Sequence, residues 1–209
     1  NVGRKGIKIL GVNVGKLGFL SFDVYDVFEK LIHDIQEDNY TLEKRTLVSI
    51  KNKNNNIQNN FALNEISVIK KDSSSMIKIH CFIDNKFICT YWSDGLIIST
   101  PTGSTGYSLS CGGPILTPDS KNLLITPISP HNLSLRSIII SEKSKIKLEI
   151  EKQKYNFLVS MDSRSYTFKG DQKFIIEKSN FNINLIHPNN FDFFKTLRKK
   201  LNWGLDLRN

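Results

Sequence analysis

Long apolar runs are missing from this 209-residue sequence. The longest are a few residues, as at Ile138-Ile139-Ile140, whereas a helical bilayer span needs about 20. No charged-then-apolar leader opens the chain. These absences point to a cytoplasmic protein with no membrane partner. Cysteine is scarce: Cys81, Cys89 and Cys111 are odd in number and form no CxxC pair. That argues against a disulfide framework and against a zinc site, and no metal ligands are assigned. The three read as small buried apolar residues. A Walker loop is absent because no Gly-Lys-Ser/Thr occurs, and GxGxxG is absent too. No internal repeat is present. Acidic residues number 20 against 29 Lys and Arg, giving a net charge of +9. The basic residues are scattered rather than striped along one helix. The charge therefore fits phosphate-bearing ligands better than DNA, and a genome rich in Lys, Ile and Asn codons explains part of it, as in residues 51–60, KNKNNNIQNN.

What is present suffices for a core. Hydrophobic residues make up 39% and charged residues 23%, enough for one large domain or two smaller ones. Residues 7–12 read as a buried strand running into a glycine-punctuated turn at Gly15 and Gly18. A helix is expected next, capped by Asp23 and favoured by Asp26, with Val24, Val27, Phe28, Leu31 and Ile35 at helical spacing. From about Leu42 the period becomes two, with Thr46, Val48 and Ile50 alternating. Residues 51–60 read as an exposed loop. Strands are expected at 61–69, at 76–83 and 86–92 around an Asp84-Asn85 hairpin turn, and at 96–99, 138–140, 146–150, 157–161, 166–168, 174–177 and 181–186. So many short strands predict a sandwich or barrel. After His187-Pro188, Phe191, Phe194, Leu197 and Leu201 predict a helix. The expected fold class is α+β in two domains: a remnant of an N-terminal α/β domain, a large sandwich-like all-β domain, and a C-terminal helix. The expected boundaries are 1–41, 42–188 and 189–209, the last returning toward the α/β domain.

Four segments can carry chemistry. In the first, a strand at 96–99 feeds a loop dense in hydroxyls and glycines: Thr100-Pro101-Thr102-Gly103-Ser104-Thr105-Gly106-Tyr107-Ser108-Leu109-Ser110. If this loop opens a helix, its first N–H groups attract an anion. A solvated turn is an equally good account on composition alone. In the second, Asn64 shares strand parity with Ile66 and Val68 and is expected to point inward. An inward Asn needs partners, and an adenine edge supplies them. Glu65 beside it can accept from ribose hydroxyls. A plain Asn–Glu pair at a strand end is the simpler alternative. Asp162-Ser163-Arg164 reads as a polar turn between strands, and Pro130-His131 as structural, without a nucleophile for a triad.

Taken in order, these segments resemble the NAD kinase family of bacteria over residues 7 to about 203. The resemblance rests on Gly11-Val12-Asn13 with the run from Gly15 to Leu20, on Leu63-Asn64-Glu65, and on Ser93-Asp94-Gly95 continuing through Thr105. It extends through Tyr107-Ser108-Leu109-Ser110, Gly112-Gly113-Pro114, Pro130-His131, Asp162-Ser163 and Leu185-Ile186-His187-Pro188. It implies phosphorylation of the 2′-hydroxyl of the adenosine ribose of NAD, giving NADP, with ATP or polyphosphate as donor and a divalent cation, expected to be Mg. It also implies an α/β domain joined to a β domain with NAD between them, and a homodimer or homotetramer whose sites borrow residues from a neighbour. Carried over, Asn64 and Glu65 hold adenine and ribose, Asp94 reaches the nucleotide, and Thr105, Gly106, Tyr107, Ser108, Leu109 and Ser110 line the adenosine pocket. Arg164 falls at a ligand-contact position. Asp162, Ser75, Trp92 and Ser129 are secondary contact candidates.

The chain departs from the family pattern in two places. Gly106 stands where the family usually has Ala, which implies a looser loop. The family's Gly-Gly-Asp-Gly motif, whose aspartate activates the 2′-hydroxyl, is expected upstream of Asn1. No catalytic residue is assigned within the chain. The competing readings are a catalytically incomplete dinucleotide-binding fragment, a lipid-kinase-like relative, and a basic β module that binds nucleic acid. The Asn64-Glu65 pair and the long Ser/Thr loop favour the dinucleotide, with no nucleic-acid partner.

Overall fold

A computed structural model of the chain describes residues 3–13, 22–23, 28–52, 57–71, 75–152, 155–189 and 191–204. The chain divides into two compact units, Asn1–Arg45 with Asn182–Asn209, and Thr46–Phe181.

The first unit carries parallel pairing. Strand β1 (Lys8–Ile9) sets Lys8 opposite Asn184 in a parallel register. Strands β2 (Val12–Asn13) and β3 (Phe22–Asp23) pair in parallel as well. The single strand expected over 7–12 is therefore two short pieces. The glycine turn at Gly15 and Gly18, and Val24, Asp26 and Val27 of the expected helix start, lie outside the described residues. Asp23 belongs to β3 rather than to a helix cap. Helix α1 spans Phe28–Gln36 and ends where Asp38 turns left-handed at φ 52°. Helix α2 lies in the second unit and is described with the site. Helix α3 (Phe193–Leu201) closes the first unit. The Asp192 carboxylate accepts from the Phe194 N–H at 2.8 Å, a side-chain N-cap. Arg198, Lys199 and Lys200 in its last turn complement the helix dipole. Leu197 is buried, but Phe194 is 56% exposed and does not join the buried face as its spacing suggested.

This unit also holds a buried charge cluster. Glu43 accepts from Arg45 and from His187 Nε2, each at 2.6 Å, and His187 stacks on Phe191 with centroids 4.0 Å apart. Burial pushes the Glu43 carboxyl up, but the His187 hydrogen bond and the Arg45 charge outweigh it and hold it below the ordinary glutamate range.

The second unit is a sandwich. Strand β4 (Tyr40–Asn52) begins in the first unit and continues into the second, and β15 (Gln172–Pro188) begins in the second and continues into the first. With β5 (Phe61–Ala62), β7 (Ile77–Ile83), β8 (Lys86–Ser93) and β12 (Ile146–Ile150) they form a sheet in the order β5-β4-β15-β12-β7-β8. The facing sheet has the order β11-β10-β9-β6-β13-β14. Its strands are β6 (Glu65–Lys70), β9 (Gly95–Ser99), β10 (Asn122–Ile128), β11 (Ile138–Ser141), β13 (Phe157–Met161) and β14 (Arg164–Phe168). Alternation decides which side chains meet between the sheets. Ile66, Val68, Leu96, Ile98, Leu123 and Ile125 from one sheet share a core with Val48, Ile50, Ile79, Leu148, Phe174 and Ile176 from the other. Each such side chain contributes about 1.5–3 kcal/mol by leaving water.

Several expected strand limits shift. The run 61–69 is not one strand, because Leu63 and Asn64 bend between β5 and β6. The two strands expected at 174–177 and 181–186 are one, β15. The loop expected over 51–60 loses its start to β4, where Asn52 is buried. Strand β10 carries no clear sequence signal because it contains Pro127. The Ile128 carbonyl faces β9, accepting from Asp94 N–H at 3.0 Å, so the preceding Pro127 nitrogen faces the other way. Pairing with β11 on that side stops at Ile125, and the missing N–H breaks no ladder bond.

Candidate functional site

The site is built on the outer face of the six-stranded sheet. There Ser67, Ile97, Ser99, Leu124 and Thr126 are buried, although they alternate with the core residues. The cover is the Ser/Thr/Gly loop after β9. Its anchor is Thr100, fully buried, whose hydroxyl donates to the Leu63 carbonyl at 2.6 Å and accepts from Gly103 N–H at 3.2 Å. Ser104 donates to the Pro101 carbonyl at 2.7 Å and accepts from Leu116 N–H at 3.0 Å, pinning the loop's return. Ser108 shares a 2.8 Å hydrogen bond with Thr126. These hydroxyls are loop fasteners, a role that composition alone did not separate from ligand contact. The loop makes a 3-10 turn at Gly103–Thr105 and then one turn of helix, α2 (Tyr107–Ser110). The first N–H of α2, on Tyr107, bonds to the Glu65 side chain, so the place expected for an anion at this helix start is taken by one of the chain's own carboxyl groups.

Two glycines let backbones touch. A Cβ at Gly103 would lie 2.1 Å from the Asn64 carbonyl oxygen, and one at Gly113 would lie 2.2 Å from Ser108 Oγ. Both are far inside van der Waals contact. Gly106 is different. Its φ is −100°, and a Cβ there would sit 3.3 Å from Glu65 Oε2. With ψ −130° this backbone lies outside the α and β regions an alanine favours, and a methyl group there would also crowd the Glu65 carboxyl.

Asp162 organises the facing segment. It sits at φ 52° in the turn between β13 and β14. Its Oδ1 accepts from Asn64 N–H at 2.8 Å and Glu65 N–H at 3.3 Å, and its Oδ2 from Leu63 N–H at 2.9 Å. Three successive N–H groups converging on one carboxylate bend the chain, which is why the strand breaks at Leu63-Asn64. The inward pointing of Asn64 by strand parity is therefore corrected: Asn64 lies in this bend and is half-buried. Its backbone is tied at both ends, by Asp162 and by Thr100 N–H, which donates to its carbonyl at 2.9 Å.

Glu65 is the unusual group. Its Oε2 is buried without a hydrogen-bond partner. Burial, and then repulsion from the Asp162 carboxylate, push Glu65 up to about 7, against the hydrogen bond from Tyr107 N–H. Tyr107 is itself half-exposed, and burial, with Cys111, Asp94 and Glu65, raises its phenol.

The remaining candidates gather elsewhere. Asp94 lies at the opposite end of β9 from Thr100, about 20 Å along the strand direction. It pairs with Lys70 Nζ at 2.6 Å. Trp92 stacks on His131 at 4.4 Å there, and Ser129, at φ 44°, is exposed beside them. Ser75 is exposed two residues before Ile77, which is paired with Ser93 at this end. The Arg164 guanidinium donates to the carbonyls of Asn59, at 2.7 Å, and Phe61, and lies over the Phe61 ring. Leu109 is half-buried and Ser110 exposed on α2. Thus Asn64, Glu65, Thr105, Gly106, Tyr107 and Asp162 come together, Asp94, Trp92, Ser129 and Ser75 gather at the other end of β9, the Tyr107 phenol lies within electrostatic reach of both the Asp94 and the Glu65 carboxyl groups, and Arg164 braces β5. The partner Lys70 was not singled out in the sequence, since only tertiary register brings it to Asp94.

Fold and site define a two-sheet β domain with a hydroxyl- and glycine-rich loop closed over a carboxylate that has an open acceptor. The family described as ATP-NAD kinase C-terminal domain matches residues 63–188. NAD kinase of Cytophaga hutchinsonii is 46% identical over 209 residues, and that of Flavobacterium psychrophilum 49% over 211, each covering 100% of this chain and 72% of the relative. NAD kinase of Bacteroides fragilis is 45% identical over 99% of the chain. Among solved structures, yeast NADH kinase complexed with NADH superposes with a TM-score of 0.85 at 27% identity, covering 96% of this chain and 61% of that one. An NAD kinase from Archaeoglobus fulgidus in complex with ATP gives 0.76 at 26% identity, covering 94% of this chain and 72% of that one. The chain belongs to the NAD kinase family.

Proposed function

We propose that this chain forms the dinucleotide-recognising part of an NAD kinase, which transfers a phosphoryl group from ATP, or from polyphosphate, to the 2′-hydroxyl of the adenosine ribose of NAD. The observation that carries this reading is the buried, donor-less Oε2 of Glu65, beside a loop packed closely against Asn64 through Gly103. An acceptor of this kind suits ribose hydroxyls and an adenine amino group. Asn64 and Glu65 bind the adenosine, with Thr105, Gly106, Tyr107, Ser108, Leu109 and Ser110 forming the wall. Asp162 shapes the pocket through the backbone, and Arg164 acts through its brace on β5. Asp94, Trp92, Ser129 and Ser75, at the far end, serve the remainder of the dinucleotide or a neighbouring subunit's site. The related structures with NADH and with ATP support both substrates.

The proposal places residues 1–41 in an α/β domain, 42–188 in the NAD-binding β domain and 189–209 in the helix that follows. The phosphoryl-accepting hydroxyl is activated by an aspartate upstream of Asn1. Among the described residues no three His, Cys, Asp or Glu side chains converge to hold a cation. The divalent cation, Mg, accordingly enters with the ATP phosphates. Ile138 and Ile139 stand exposed on the edge strand β11, which supports a homodimer or homotetramer. No described helix is long and apolar enough to cross a membrane, and the protein acts in the cytoplasm. The test is NADP formation by the full-length protein from NAD, Mg and ATP, with polyphosphate as the alternative donor. Accumulation of NADP is expected; NAD binding without NADP formation with either donor would leave only a binding function.

A further inference from the structure

The Glu65 carboxyl sits in an arrangement that makes its charge conditional. From the β13–β14 turn, Asp162 faces it, its carboxylate accepting from three backbone N–H groups. From the loop and α2 come only the Tyr107 phenol and the Tyr107 N–H. β9 contributes Gly95–Ser99, which has no titratable side chain. Arg164 and Lys70 are engaged elsewhere, Arg164 with the carbonyls of Asn59 and Phe61 and Lys70 with Asp94. Two carboxyls thus meet, with no ion pair to Glu65 among the described residues, and one oxygen of Glu65 is buried without a donor.

We propose that Glu65 carries a proton in the ligand-free protein and releases it to solvent when the hydroxyls of a dinucleotide dock against it, so that dinucleotide binding is coupled to proton release. This rests on the dinucleotide reading given above. In the step the carboxyl O–H bond breaks, the proton passes to water, and the freed carboxylate accepts hydrogen bonds from the ligand. A charged acceptor makes the stronger bond, so bound ligand favours the ionised form. The raised ionisation range of Glu65 puts this exchange near neutral pH.

The sign follows from linkage. A group whose ionisation falls on binding makes affinity rise with pH until the free form is itself ionised. With a free-state midpoint near 7, NAD affinity at pH 6 is expected to be about tenfold weaker than at pH 8, and about half a proton leaves per NAD bound at pH 7. The experiment is calorimetric titration of NAD into the full-length protein at pH 7 in buffers of different ionisation enthalpy. It is repeated with Glu65→Gln and accompanied by a carbon-13 NMR titration of the Glu65 carboxyl in the unliganded protein. Proton release in the wild type, its loss in Glu65→Gln, and a Glu65 midpoint near neutral pH support the inference. NAD binding with no proton exchange, or a midpoint in the ordinary glutamate range, overturns it while leaving the dinucleotide reading intact. Failure of the wild type to bind NAD overturns both.

Discussion

The two ends of the β6–β9 strand pair carry the same kind of residue under opposite conditions. At one end Asp94 meets Lys70 at 2.6 Å, and both side chains keep partial contact with water. At the other, Glu65 faces a second carboxyl and has a buried oxygen with no donor. The first is a stabilised pair. The second is a group whose missing donor a ligand can supply. Two carboxylic-acid side chains five strand positions apart therefore differ in purpose because of what the tertiary register places opposite them.

The sharpest break of this contrast is Gly103→Ala. A methyl group 2.1 Å from the Asn64 carbonyl cannot be absorbed by a side-chain rotation. A loss of about 2–3 kcal/mol is expected, seen as a clear fall in Tm together with loss of measurable NAD binding. Asp162→Asn comes next. The amide keeps one acceptor but turns its NH2 toward backbone N–H groups that have no other partner in this bend. About 1.5–3 kcal/mol is expected from thermal unfolding.

A third test concerns pH. The Glu65 carboxyl is raised in the folded state, so its stabilising contribution is complete below the unfolded glutamate range and is lost as pH rises through about 7. Allowing for its partial exposure, the loss between pH 5 and 8 is about 1 kcal/mol, or roughly 3 °C in Tm. Glu65→Gln is expected to remove that part of the pH dependence, and denaturant titrations at the two pH values measure it. The smallest effect belongs to the other end. Lys70→Met opens a partly exposed pair and is expected to cost about 0–1 kcal/mol. Thermal unfolding of the variant beside the wild type measures it.

Much of the sandwich was legible from local pattern. The alternation at 146–150 and 157–161 matches β12 and β13 residue for residue, and Asp84-Asn85, at φ 50° and 65°, forms the expected hairpin turn. What was not legible depended on distant partners. Residues 61–69 looked like one strand because nothing nearby signals that a carboxylate 98 positions away will gather the Asn64 N–H. Strand β10 was hidden by a proline that is tolerated only because its neighbour β11 ends early. The composition of the site loop was evident, yet which hydroxyls fasten and which remain accessible was not. Thr100, Ser104 and Thr105 are spent on backbone carbonyls, while Ser110 stays accessible. The resemblance to NAD kinases supplied the residues as a set; the fold distributes them between two strand ends.

The central claim is that the Glu65 end, not the Asp94 end, receives the adenosine. The most direct measurement is the NAD affinity of full-length Asn64→Ala by calorimetry, with Tm recorded in parallel. The backbone of Asn64 holds the bend while its side chain is half-buried, so the fold should survive. Binding weakened by about tenfold or more with an unchanged Tm is the expected result; unchanged affinity in a folded variant would contradict the account.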